Sequence, residues 1–424
     1  MLETQFDIAV VGGGLVGASL VLAFATFAGK KKLRVLHLEA NLAASPAIAS
    51  DERHLAINAF SWQTLKSLGV VLDVNRCAPI QRIHISSRGD FGRVLLDATH
   101  EGVSEFGRLV PASQLRDALE KALANCSSAW LTRQHGSRLI GLDTATEGAA
   151  NLTLAASDGA LTKVSARLVV GCDGTQSSVR EFISKLSPEV GEGNQESNQE
   201  SNQESNQEGH QHGFFDYQTS ALSFNFKPEY DPLSTAYERF TDTGPIALLP
   251  LPNRRIGAVW TLPSAQANAA LQLAEAEFLQ QFQQAFGYRL GRFSALGRRA
   301  LWPLQRLRAR PDFSNRCVLI GNAAQTIHPL GAQGFNLGLR DAIALAATIE
   351  KADQNFDALS VLQVFSAARS KDRADTLRFS DSGLVATQNT SSLARVARSM
   401  AFTALETAPL AKRSLVRFGL GYVR

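Results

Sequence analysis

Over the first 40 residues the chain alternates short apolar runs with one longer apolar stretch. Phe6-Asp7-Ile8-Ala9-Val10-Val11 is β-branched and almost continuously apolar, the pattern of a parallel strand covered on both faces. A glycine-rich turn follows, then a stretch to about Ala28 that predicts an apolar helix. Lys30-Lys31-Lys32 reads as a solvated turn, and Leu33 to Leu38 as a second buried strand. Strand, turn, helix and strand within about 35 residues make a βαβ unit. From Arg138 to Val170 the segments shorten and alternate, with Ser157-Asp158-Gly159 as a hairpin signal, and predict a β-meander whose last strand is Arg167 to Gly171. Phe214 to Phe226 and Ile246 to Leu262 alternate as strands of a sheet, and Gln266 to Phe286 is helical in composition. Arg316 to Ile320 predicts a short buried strand and Asn336 to Ile349 an apolar helix. Ser391 to Arg424 predicts basic helices interrupted at Pro409.

Length and composition narrow this picture. A chain of 424 residues exceeds one ordinary core and implies two domains or one domain with an insertion. With 45% apolar and 19% charged residues it is a folding sequence, and a net charge of +4 is too small for a general nucleic-acid binder. Cys77, Cys126, Cys172 and Cys317 form no C-x-x-C pair, so neither a disulfide framework nor a metal site is expected. No apolar run reaches the roughly 18 to 20 residues of a membrane span. Met1 leads almost directly into the first strand, so no signal peptide is expected. The Asn-Gln-Glu-Ser repeat within residues 192–209 cannot bury a core and reads as a disordered loop flanked by His210 and His212.

Three motifs carry the chemistry. Gly12-Gly13-Gly14-Leu15-Val16-Gly17 contains G-x-G-x-x-G between a strand and a helix, the context of a dinucleotide fold. Gly12 permits the tight turn, Gly14 the backbone's approach to a pyrophosphate, and Gly17 close helix–strand packing. The helix N-terminus then offers N–H groups and partial positive charge to phosphates. Glu39, at the end of the second strand, is placed to accept ribose hydroxyls and argues against a 2′-phosphate; NAD and FAD both remain open on this motif. The second motif, Gly171 to Arg180, turns from the meander's last strand into a helix and places Asp173-Gly174 at the turn. The third runs from Gly321 through Asn322, His328, Pro329 and Gln333-Gly334-Phe335-Asn336 to Asp341. Its small residues leave room for a flat ligand, and Gly334 opens a helix whose N–H groups can face developing negative charge.

In this order the three motifs resemble the flavoprotein aromatic hydroxylases, the group A flavin monooxygenases. Asn322, with Tyr237-Glu238-Arg239-Phe240 through Gly244-Pro245 to Leu249-Pro250, resembles the ubiquinone-biosynthesis branch of 2-polyprenyl-6-methoxyphenol hydroxylases. The resemblance covers nearly the whole chain except the repeat loop. It implies an α/β fold, with a Rossmann-like FAD-binding domain (parallel sheet and β-meander) over residues 1–74, 107–191 and 297–390. A β-sheet substrate domain follows from residues 75–106 and 210–296, with basic helices over 391–424. FAD is the implied cofactor and NADH or NADPH the transient reductant. Gly12, Gly14 and Gly17 are implied to hold the pyrophosphate and Glu39 the adenosine ribose. Arg53, Asp173, Gly174, Asn322, Gly334 and Asn336 are the further implied FAD contacts, and His328, Pro329 and Gln333 are expected near the flavin. Where the family usually reads Ala-Gly-Gln-Gly, this chain reads Gly331-Ala332-Gln333-Gly334.

The implied activity is hydroxylation of a polyprenyl-phenol intermediate with O2, through a flavin hydroperoxide; no acid–base pair is evident in the spacing. A long isoprenoid tail does not leave a bilayer unaided, at about 0.8 kcal/mol per buried CH2. The expected place of work is therefore the cytoplasm, at the inner membrane face, by peripheral contact or within a quinone-biosynthesis complex. In the tail, Arg395, Arg398, Lys412, Arg413, Arg417 and Arg424 stand against Glu406 alone, and Leu393, Val396, Met400 and Ala404 share one helical face. That tail either docks on a membrane or partner, or packs on the FAD-binding domain with a solvated basic face. The competing readings are a monooxygenase of a soluble aromatic, a non-catalytic FAD-binding accessory subunit, and an NAD-dependent dehydrogenase.

Overall fold

The computed structural model describes residues 5–42, 53–145, 148–186, 213–328, 333–388 and 391–421. The repeat loop, His210, His212, Pro329, Gly331 and Ala332 lie outside them.

Phe6–Val11 is a buried strand flanked in parallel by Val35–Glu39 and by Leu161–Gly171. These strands centre an eight-stranded sheet in the order Phe313–Ser314, Cys317–Leu319, Leu161–Gly171, Phe6–Val11, Val35–Glu39, Leu131–His135. The meander is there: Ser137–Asp143 and Ala150–Ala156 pair antiparallel with each other and onto Leu161–Gly171. The helices Leu15–Ala25 and Gly334–Ala352 pack together on one face of the sheet, through Leu20, Phe24, Leu339 and Leu345. Ser178–Leu186 covers the other face with Val179 and Ile183.

The first helix is shorter than the apolar stretch predicts. It closes at Ala25, and the lysines begin inside a single turn, Ala28–Lys31, ended by Lys32 at φ 54°. Leu273 and Ala274 adopt extended backbone and divide the predicted helix of 266–286 into Ser264–Gln272 and Glu275–Phe286. Ile246 to Leu262 is likewise two strands, Gly244–Leu251 and Arg255–Pro263, reversed at Asn253 and Arg254, both with positive φ.

The second sheet has nine strands, in the order Gln325–Thr326, Ala300–Arg308, Gly213–Pro228, Arg255–Pro263, Gly244–Leu251, Thr235–Thr241, Arg82–Ser87, Arg93–Asp97, with Phe293–Ser294 beside Gly213–Pro228. Ser264–Gln272 and Glu275–Phe286 cover one face, with Phe278 and Phe282 against Phe224 and Trp260. A third sheet joins His54–Asn58, Gly107–Pro111 and Ala78–Ile80. Two segments depart from the sequence boundaries. Ala300–Arg308, grouped there with residues 297–390, hydrogen-bonds along Gly213–Pro228 in the second sheet. Ala78–Ile80, grouped with 75–106, pairs with Gly107–Pro111. Edge strands take whatever backbone lies open beside them, and adjacency in sequence does not decide that.

The tail forms the helices Ser392–Thr407 and Pro409–Gly419. They pack on the second sheet and on the third, where the Leu420 carbonyl accepts from Phe60 N–H at 3.2 Å, so the tail also meets residues grouped with the FAD-binding domain. Phe402 stacks on Phe240 at 6.4 Å, Val416 and Leu420 enter a core with Val94 and Leu96, and Leu95 N–H donates to Glu406. Arg395 and Arg398 both bind Asp90, and Lys412 binds Glu406, so three of the tail's cations are tied to carboxylates at home.

Candidate functional site

The three motifs converge through backbone pairing. The first strand and Leu161–Gly171 run in register to Val11 and Gly171, and Cys172 N–H then donates to the Val11 carbonyl at 2.8 Å. The Asp-Gly turn thus lies directly on the glycine loop. Cys317–Leu319 pairs with the other edge of the same strand, and Ile320 N–H reaches the Gly171 carbonyl at 3.0 Å. Thr175 and Thr326 hydroxyls meet at 3.0 Å, and Arg180 clasps the carbonyls of Ala323 and Thr175 at 3.0 and 2.6 Å.

The glycine loop fits a dinucleotide. Gly12 sits at φ 111°, and a Cβ there would stand 2.5 Å from the Cys172 oxygen. A Cβ on Gly17 would lie 2.0 Å from the Gly12 oxygen, which is the close packing the motif anticipates. Gly14 differs. It caps the helix Leu15–Ala25 without any side-chain acceptor, and open space surrounds the point where its Cβ would be. Those helix N–H groups are therefore presented to an incoming anion. Glu39 reaches back to this loop, accepting from Gly13 N–H at 2.9 Å with one oxygen and from Asn41 with the other.

The other expected residues take several positions. Asp173 is occupied as a helix cap: its carboxylate accepts from the Ser177 hydroxyl and from the N–H groups of Ser178 and Val179, at 2.5, 2.7 and 3.3 Å. Burial raises its carboxyl above the ordinary value despite these donors. Gly174 has φ 87° and open space beside it. Asn322 is exposed next to the buried Gly321. Asn336 is buried, and its amide is committed to backbone, accepting from Asn58 N–H at 3.1 Å and donating to the Ala56 carbonyl at 2.9 Å. It therefore anchors the strand His54–Asn58 to the helix Gly334–Ala352. Arg53, exposed at the head of that strand, lays its guanidinium over Trp302 at 5.2 Å. His328 is buried, edge-on to Tyr217 at 5.3 Å, and Gln333 is buried at the helix opening.

The sequence reading missed the charges behind the third motif. Asp341 is wholly buried and accepts from Gln325, Arg369 and Arg373 at 2.7, 2.7 and 3.0 Å, and from Gly321 N–H at 3.3 Å. Arg340 and Arg369 in turn hold Asp372, and Arg373 also holds Asp312. Burial alone would raise the Asp341 carboxyl, but Arg373 and Arg369 outweigh it and hold it below the ordinary value. The only sequence signal was Arg369, Asp372 and Arg373 at helical spacing, on one face of Leu359–Gln388.

A glycine-loop parallel sheet, a strand–turn laid on that loop and a third helix opening beside both define a dinucleotide-binding flavoprotein fold. Among solved structures the fold is similar to p-nitrophenol 4-monooxygenase PnpA from Pseudomonas putida, with a TM-score of 0.73, 16% identity and 99% of each chain covered. PqsL, a probable FAD-dependent monooxygenase from Pseudomonas aeruginosa, aligns with a TM-score of 0.71 at 17% identity, over 94% of this chain and 99% of that one. By sequence, the chain is 30% identical to an uncharacterised protein of Synechocystis sp., over 89% of this chain and 84% of the relative. It is 29% identical to the 3-demethoxyubiquinol 3-hydroxylase of Escherichia coli, over 99% and 100%. The pattern of the FAD binding domain family matches residues 5–380, and the chain belongs to that family. FAD is its cofactor.

Proposed function

We propose that this protein is an FAD-dependent monooxygenase that hydroxylates the aromatic ring of a polyprenyl-phenol intermediate in ubiquinone biosynthesis, with O2 and NADH or NADPH. The observation that carries the reading is the meeting of all three motifs at the uncapped N-terminus of Leu15–Ala25. Full-length similarity to a demethoxyubiquinol hydroxylase supports the substrate class.

In this reading Gly12, Gly14 and Gly17 let the backbone receive the pyrophosphate, and Glu39 takes the adenosine ribose. Asp173 and Gly174 shape the turn that closes over the loop, and Asn322 offers an uncharged amide to the ribityl chain. Asn336 acts by fixing the strand that begins beside Arg53, and Arg53 would contact the cofactor. The N–H groups at Gly334 would be offered to the flavin ring, with His328 and Gln333 as the buried side chains of the same motif. FAD, when bound and reduced, supplies the oxygen-activating chemistry, and the protein orients the phenol and excludes water.

An isoprenoid tail requires membrane contact or delivery by a quinone-biosynthesis complex, and the tail helix supports the membrane. Leu393, Val396 and Met400 are 82%, 47% and 62% exposed on one face, with Leu410 at 78% on the next helix. The basic charge contributes less than its count suggests, because Arg395, Arg398 and Lys412 are tied to carboxylates.

The test is the visible spectrum of the purified protein, then anaerobic addition of NADH or NADPH with and without phenols. Flavin bands that bleach, fastest with a prenylated phenol, are the expected result. A colourless protein that takes up no added FAD overturns the reading, and equal response to tail-free phenols moves the substrate to a soluble aromatic.

A further inference from the structure

The tail helix Ser392–Thr407 runs beside the edge strand Arg93–Asp97, and a cavity of about 560 Å³ opens between this helix, the hairpin of residues 86–93 and the sheet beyond. Three arginines line it from separate elements: Arg93 at the start of the edge strand, Arg239 in Thr235–Thr241, and Arg289 after the helix Glu275–Phe286. Arg239 stands opposite Ser86, and Ser86 opposite Arg93, so these positions share one row across three adjacent strands and project from one face. Arg239 donates to the Ser86 hydroxyl at 3.3 Å, and its guanidinium lies 5.9 Å from the centre of the Phe286 ring. Its Nε is buried without a partner among the described residues. Arg93 and Arg289 are exposed, and neither enters a hydrogen bond or ion pair among the described residues.

The carboxylates of the cavity do not balance these charges. Asp90 is taken by Arg395 and Arg398, at 2.8 and 2.7 Å. Glu406 is taken by Lys412 at 2.8 Å and by Leu95 N–H at 2.9 Å. Burial, with the charges of Arg289 and Arg88, holds the Arg239 guanidinium below its ordinary value. Burial, with Arg289, Arg93 and Arg239, pushes the neighbouring His84 down to about 4, so it stays neutral. Like charges gathered in this way repel, and a ligand with several anionic oxygens relieves the repulsion. Guanidinium groups match phosphate oxygens in geometry as well as charge. The rim is apolar. Phe91, between Asp90 and Gly92 of the cavity wall, is 61% exposed, and Tyr288, beside Arg289, is 67% exposed. On the tail helix, Thr403 and Thr407 line the cavity and follow Leu393, Val396 and Met400 at spacings of three and four residues. The outward apolar stripe therefore runs directly into the cavity. Cations set among exposed apolar and aromatic side chains match a bilayer surface, where headgroup phosphates lie over acyl chains.

We propose that this cavity binds the headgroup phosphate of an anionic phospholipid, with Arg93, Arg239 and Arg289 on the phosphate oxygens and Phe91, Tyr288 and the stripe of Ser392–Thr407 at the acyl boundary. The inference deepens the membrane contact proposed above and rests on it. The apolar stripe supplies adhesion to any bilayer, and the cavity supplies the choice of lipid. Arg395, Arg398 and Lys412 are tied to carboxylates, so the preference for negative charge comes from the sheet and its hairpin and not from these tail cations.

The FAD-loaded protein is sedimented with phosphatidylcholine vesicles and with the same vesicles carrying phosphatidylglycerol. Wild type is expected to bind the anionic vesicles on the order of tenfold more tightly. Arg93→Gln with Arg289→Gln, both exposed, removes most of that preference and keeps the residual binding to phosphatidylcholine. Lys30→Gln with Arg138→Gln takes the same charge from exposed positions around the first sheet and keeps the preference. Melting midpoint and FAD content confirm that each variant is folded. Inorganic phosphate, added at constant ionic strength, identifies the source of the anion. Weak displacement is expected; tight binding of phosphate with no gain from phosphatidylglycerol makes the anion a soluble one and overturns the lipid assignment. Equal sedimentation of wild type with both vesicles, or a preference that survives in the arginine pair, overturns this inference alone. A wild type that sediments with neither overturns the membrane contact and this inference with it. Hydroxylation of a short-tailed phenol without vesicles is unchanged in the arginine pair, so a failure of the proposed activity is read apart from a failure of the lipid site.

Discussion

Gly14 and Gly17 lie three positions apart and do different work. A Cβ on Gly17 meets the Gly12 oxygen at 2.0 Å, whereas one on Gly14 meets nothing within 4 Å. Gly17→Ala must therefore displace the helix from the first strand, and it is expected to lower the melting midpoint and FAD content together. Gly14→Ala leaves the apoprotein's midpoint unchanged and weakens FAD binding, because the added methyl occupies space left for the phosphates. Thermal melts of apo and FAD-loaded protein check both. Asp173 carries a warning about reading roles from motifs. Its type and place suit a cofactor contact, yet its oxygens are spent capping Ser178–Leu186.

At the scale of elements, the helix Gly334–Ala352 is held by charges that lie inside the protein. Asp341 is fully buried between Arg369 and Arg373 of Leu359–Gln388, and it also fixes Gly321 and Gln325 at the start of the third motif. Asp341→Asn leaves the arginines uncompensated and is expected to cost about 3–5 kcal/mol, measured by urea unfolding. The folded carboxyl is held below its unfolded value, so its contribution is complete above the unfolded value of about 3.9. It is lost as pH falls through the folded value, and Asp341→Asn is expected to lose less stability than wild type between neutral pH and pH values below about 4. The strand His54–Asn58 is positioned likewise, by Asn336 through contacts spanning 280 residues of sequence.

For the whole molecule, the tail helices complete the substrate-side sheet and leave one apolar face outward. Leu393→Glu with Met400→Glu touches neither core and is expected to abolish sedimentation with phosphatidylethanolamine–phosphatidylglycerol vesicles, with FAD content unchanged. Equal sedimentation of variant and wild type would remove the membrane from the reading. The glycine loop, the βαβ unit and the meander were legible because each is a local pattern: periodicity, turn residues and a motif within one supersecondary unit. The three motifs could be recognised separately for the same reason. Their meeting at one helix end, the transfer of Ala300–Arg308 to the second sheet, and the pairing of Arg395 and Arg398 with Asp90 were not legible. Each depends on a partner distant in the chain, and burial, charge compensation and sheet membership are set by such partners once the chain has packed.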